Sequence, residues 1–125
     1  MKILVVNFFI QNYTGSEINA LQLCQGLRDL GHQAEIGALI IKTPLSELAA
    51  FDGIHLINLL EERPAGYDYD LIWAHHAPAL AHLLFKRPIA NTRIIFSSLS
   101  SLVPLEAPPV FLNDIHYFLS INPVN

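Results

Sequence analysis

The chain opens with KILVV, residues 2–6, in which every residue after Lys2 is apolar and Ile3, Val5 and Val6 are β-branched. A run of that kind suits a strand buried on both faces, as in a parallel sheet. The polar stretch NYTGSE, residues 12–17, follows, and apolar positions then recur at Ala20, Leu23, Cys24, Leu27 and Leu30. That spacing is helical. It predicts a helix over about residues 15–30, closed by Gly31, whose missing Cβ permits the positive φ of a C-terminal cap. Thr14 followed three residues later by Glu17 matches a capping box. In that motif the hydroxyl accepts from the N–H of position 17 and the carboxylate reaches back to the N–H of Thr14.

The rest of the chain repeats the alternation. QAEIGALII (33–41) predicts a second strand, PLSELAAF (44–51) a short helix with Pro44 in its first turn, and IHLINL (54–59) a third strand. EERPAGYDY (61–69) is a polar connector. LIWA (71–74) predicts a fourth strand, PALAHLLF (78–85) a helix opened by Pro78, and TRIIFS (92–97) a fifth strand. SSLSSLVPLEAPP reads as a long loop, and VFLNDIHYFLS as a short helix followed by a sixth strand near 117–121. Strands alternating with helices indicate an α/β fold: a Rossmann-like, doubly wound, mainly parallel sheet of about five to six strands with helices on both faces. At 125 residues the chain is expected to form a single domain.

In such sheets ligands bind beyond the carboxyl ends of the strands, and this places three candidate groups on one edge. The first strand is expected to end near Asn7, so residues 8–16 lie there. Helix N-termini offer free N–H groups and a positive partial charge, and Gly15 allows a sugar or phosphate to approach the backbone. The alternative is that Thr14, Gly15, Ser16 and Glu17 only cap a helix. His75 and His76, in DLIWAHH (70–76), follow the fourth strand. An imidazole there suits a general base or a hydrogen bond to a hydroxyl; the alternative is a surface or helix-capping pair. Ser97 and Ser98 follow the fifth strand within FSSLSSL, either as polar ligand contacts or as part of a solvated loop, and Glu106 lies in the same loop. The phosphate-loop and dinucleotide glycine motifs are absent, as is the G-x-S-x-G of a serine hydrolase. Adjacent histidines point in different directions, so His75, His76 and His82 are not expected to hold a metal. Cys24 falls on the apolar stripe of the first helix and is expected to be a buried thiol.

Composition narrows the classes. The net charge is −4 and the seven Lys and Arg are scattered, so the basic stripe of a nucleic-acid binder is missing. With one cysteine there is no internal disulfide, and an intracellular, cytoplasmic setting is expected. The inner membrane face is the second option, although no polybasic arm supports it. No signal-peptide cleavage site follows the first apolar run. The chain is 52% hydrophobic and only 14% charged, against about 25% charged in an average domain. A sheet buried on two sides, or an apolar face meant for self-association or for a further domain, would produce that surplus.

The ordered set MKILVVNFF, TGSE, GLRDLGHQAEI, DLIWAHH and SIN resembles the N-terminal, acceptor-side domain of GT-B fold glycosyltransferases, particularly glycosyltransferase family 4. The resemblance spans essentially the whole chain. It implies a parent enzyme that transfers a sugar, of hexosyl type, from a nucleotide-sugar donor to a glycan or small-molecule acceptor. No cofactor and no metal are expected. Gly15 matches the second glycine of the family's G-G-x-E loop and Glu17 its acid, while Thr14 replaces the first glycine. His75 and His76 fall in the histidine region of the fourth strand. Ser97 and Ser98 stand where many members carry a histidine that contacts the donor sugar. His75 and Ser98 are thereby candidates for catalysis, and Thr14, Gly15, Ser16, Glu17, His76 and Ser97 for binding. The donor-binding domain, with its Glu-x7-Glu motif, is not in these residues, so the chain alone is expected to be inactive. A non-catalytic Rossmann-like module for a small ligand or a protein is the alternative.

Overall fold

The computed structural model describes residues 1–61, 68–86, 92–98 and 117–120. Its elements run β1 (Lys2–Ile10), α1 (Gly15–Asp29), β2 (Gln33–Ile41), α2 (Leu45–Phe51), β3 (Leu56–Asn58), β4 (Leu71–Ala74), α3 (Ala77–Lys86), β5 (Arg93–Ser98) and β6 (Tyr117–Ser120). They build one six-stranded sheet in the order β3-β2-β1-β4-β5-β6, with every pair parallel. The order reverses direction at β1, the mark of a doubly wound sheet.

Alternation along β1 explains the two layers. Ile3 and Val5 join Ala20, Leu21 and Cys24 of α1 and Leu45 and Ala49 of α2 in one buried cluster. Leu4 and Val6 join Ala79, Leu80 and Leu83 of α3, with Ile72, Ile94 and Phe96, in the other. Successive side chains of a strand face opposite ways, so a strand covered on both faces needs apolar residues at every position. Ile3 to Val6 supply them.

Helix α1 ends as its sequence predicts. Gly31 has φ 94°, its N–H bonds the carbonyl of Arg28, and the N–H of His32 bonds that of Leu27. These are the two bonds of a Schellman cap. Within the helix, Gly26 is exposed and a Cβ added there meets no atom within 4 Å. Gly26→Ala is therefore expected to stabilise the fold by about 0.5–1 kcal/mol through helix propensity. Gly37 of β2 is the opposite case, since a Cβ there would lie 2.8 Å from Cδ2 of the buried Leu59. Gly37→Ala is expected to cost about 1–2 kcal/mol through overpacking. Urea titration of the two variants beside the parent chain checks both signs.

Two expectations about elements change. β1 does not stop near Asn7 but continues through Phe8 and Phe9 to Ile10, paired with β2 as far as Ile41. The apolar run resumes after Asn7, and the Asn7 side chain is itself fully paired, so the polar residue does not end the strand. β3 is shorter than IHLINL suggests. Most of the connector before β4, the loop after β5 with Glu106, and the helix expected before β6 lie outside the described residues.

Candidate functional site

The site follows from unequal strand lengths. β4 pairs with β1 only as far as Val6 opposite Ala74, while β1 runs on to Ile10. The residues after Ala74 therefore lie beside the free flank of β1. The N–H of His75 bonds the carbonyl of Val6 at 3.0 Å, and the two imidazoles sit at the carboxyl edge of the sheet, next to Asn7 and Phe8.

Both rings are buried, His75 to 1% exposure and His76 to 3%, so a surface pair is not what the fold makes of them. His75 Nδ1 lies 2.8 Å from Asn7 Oδ1. His76 Nδ1 accepts the N–H of Phe8 at 2.8 Å. Burial pushes His75 down to about 4, with the neighbouring His76 adding to the effect. Burial also pushes His76 down to about 4, partly opposed by the Glu17 carboxylate. Both are neutral near pH 7. Neutral imidazoles accept and donate hydrogen bonds but are weak bases at such values.

Glu17 is 5% exposed, and the capping box does not form as expected. Thr14 is the N-cap, with extended φ −97° and ψ 167°, but its side chain makes no cap bond. Instead Thr14 Oγ1 donates to Glu17 Oε1 at 2.7 Å. Glu17 Oε2 accepts the N–H of Gln11 at 2.6 Å and of Asn12 at 2.5 Å. The chain bends through residues 11–13, which brings those two N–H groups, rather than that of Thr14, to the carboxylate. Glu17 is thus the peg on which the β1–α1 loop hangs. The loop itself is held out to solvent: Asn12, Tyr13, Thr14 and Gly15 are exposed and Ser16 partly so.

Asn7 is the residue that the sequence pattern undervalues. It is fully buried, and its Nδ2 donates to the carbonyls of Phe9 and Ser16, each at 3.3 Å. One amide therefore joins β1, the start of α1 and the end of β4. A lone Asn inside an apolar strand was the available signal, because a buried amide needs partners for all its polar atoms.

Ser97 does not join this network. Ser97 is buried and its hydroxyl accepts from Trp73 Nε1 at 2.8 Å, a tie between neighbouring strands. Ser98 closes β5 opposite Ser120 on the same edge of the sheet. His82 sits apart, against the carbonyl of Leu59 at 3.2 Å. Cys24 packs in the core, its thiol pushed up to about 11 chiefly by burial. Among the described residues no three His, Cys, Asp or Glu gather as a metal site would require, and no helix is long and apolar enough to cross a membrane. What the edge offers is an exposed glycine-bearing loop on a fixed base, with two neutral imidazoles behind it. Comparisons with family models, with curated proteins and with solved structures return no match to this chain.

Proposed function

We propose that the chain is the acceptor-side half of a glycosyltransferase that takes its sugar from a nucleotide-sugar donor. One observation carries the reading: the Gly15 loop, His75 and His76 meet at the carboxyl edge of a doubly wound parallel sheet, beside β1, where the strand order reverses. That is where such sheets take ligands. The acceptor lies along the loop, within reach of the backbone at Gly15, and hydroxyl groups are oriented by the imidazoles. A weakly basic, neutral His75 serves as a hydrogen-bond partner in this role rather than as a strong proton acceptor. Donor diphosphate binding belongs to another domain of the parent, so the chain alone does not transfer sugar. The test is a transfer assay on the longest natural protein that contains these residues, with a panel of nucleotide sugars. Product with at least one donor supports the reading, and silence across the panel, with no second Rossmann-like domain in the reading frame, removes it.

A second reading has its own support. The polar atoms of Glu17, Asn7 and Ser97 are already engaged within the chain, as expected of a scaffold that presents a binding loop without chemistry. A ligand-binding module of this kind would tolerate His75→Asn with little loss of binding, whereas the transferase would lose turnover.

A further inference from the structure

We infer that Asn7 locks His75 in the Nδ1–H tautomer, so that His75 Nε2 is a fixed hydrogen-bond acceptor for an uncharged hydroxyl of the ligand and not for a phosphate or carboxylate. The ligand class rests on the carbohydrate reading above; the tautomer does not.

The Asn7 amide has one possible orientation. Its Nδ2 faces two backbone carbonyls, those of Phe9 and Ser16, at 3.3 Å each. Turned over, the amide would set its oxygen against both. Oδ1 therefore faces His75 Nδ1 at 2.8 Å, and the hydrogen between them belongs to the ring. A neutral imidazole has a single N–H, so His75 Nε2 is bare. His76 is fixed the other way: its Nδ1 accepts the Phe8 N–H, which puts its hydrogen on Nε2. Two adjacent histidines thus hold opposite tautomers, each set by β1.

His75 Nε2 is left uncommitted by the fold. Among the described residues no hydrogen bond uses it. A bare ring nitrogen in a nearly dry setting accepts from a hydroxyl and repels the lone pairs of an anion. The charged groups nearby do not change this: the Glu17 carboxylate is turned to the loop N–H groups, and His76 remains neutral near pH 7. Asn7 acts here as a positioning residue, through His75.

The test is a long-range proton–nitrogen correlation spectrum of the histidine rings in the ¹⁵N-labelled chain at pH 7. The expected pattern has His75 protonated at Nδ1 and bare at Nε2, with His76 the reverse, and excess inorganic phosphate leaves it unchanged. In Asn7→Leu the His75 signals move toward a mixture of tautomers, and in Asn7→Asp, which keeps an acceptor, the Nδ1–H form returns. A purely structural Asn7 would change stability in both variants and leave the ring pattern alone. A wild-type His75 with its hydrogen on Nε2, or one that phosphate converts to the doubly protonated ring, overturns the inference even if Asn7→Leu does not fold. Failure of the parent protein to transfer sugar would remove the carbohydrate ligand class while the spectrum still decided the tautomer.

Discussion

Glu17→Ala is expected to destabilise the domain by about 3 kcal/mol, while Glu17→Gln costs about half as much. The carboxylate is 5% exposed and takes three hydrogen bonds, from the N–H groups of Gln11 and Asn12 and from the hydroxyl of Thr14. Hydrogen bonds to a charged group are worth about 1.5–3 kcal/mol each, and a donor left without a partner adds its desolvation penalty. Gln11 is only partly buried and Asn12 is exposed, so water recovers some of that loss, and the total falls well below three full bonds. Glutamine keeps one acceptor oxygen for the two N–H groups, which is why it costs less. In urea the alanine variant should lose about 1–2 M in midpoint with its slope unchanged. Hydrogen exchange at Gln11 and Asn12 should rise far more than at Ile3–Val6 in the centre of the sheet. An alanine variant as stable as the parent would show that the loop does not depend on this side chain, and the fixed base of the proposed site would be lost with it.

This role for Glu17 shows how sequence and fold divide the information. The layers were legible because they depend on local periodicity: KILVV, the α1 stripe from Ala20 to Leu27, and Gly31 each state their environment without reference to distant residues. The spacing of Thr14 and Glu17 was equally visible, and it rightly marked a helix start. It could not say which N–H groups the carboxylate would meet, because that depends on the bend at residues 11–13. Asn7 and His75 are 68 residues apart in sequence, and their contact exists only because β4 stops four positions short of the end of β1. Register between non-adjacent strands is a property of the folded sheet. The histidines were legible as candidates, and their burial was not. An apolar strand followed by HH looks the same whether the pair ends in solvent or folds back against a longer neighbour.

The burial of those two rings predicts a steep loss of stability in mild acid. An imidazole titrates near 6.5 when free, and His75 and His76 are each held down to about 4 in the fold. Between these values the unfolded chain binds protons that the folded chain refuses. Stability therefore rises with pH across that window and falls as pH drops through it. Above about pH 7.5 both states are neutral at these positions and the pair adds no slope. A tenfold change in proton affinity is worth about 1.4 kcal/mol, so each histidine contributes about 3 kcal/mol of destabilisation by pH 4. Part of the effect on His75 comes from repulsion by a charged His76, so removing either ring also relieves the other and the two do not simply add. Even about 5 kcal/mol together is comparable to the whole stability of a marginal domain, and unfolding before pH 4 is the expected outcome. Asparagine is the informative replacement at both positions, because its amide can donate to Asn7 as His75 Nδ1 does and accept from Phe8 as His76 Nδ1 does. Urea unfolding from pH 7.5 down to 4.5 should show close to two protons taken up on unfolding in the parent chain and about one in His75→Asn or His76→Asn. If the parent and both variants share one slope across this range, the rings are not held neutral by the fold, and the Asn7–His75 bond at the sheet edge would have to be weaker than its 2.8 Å geometry implies.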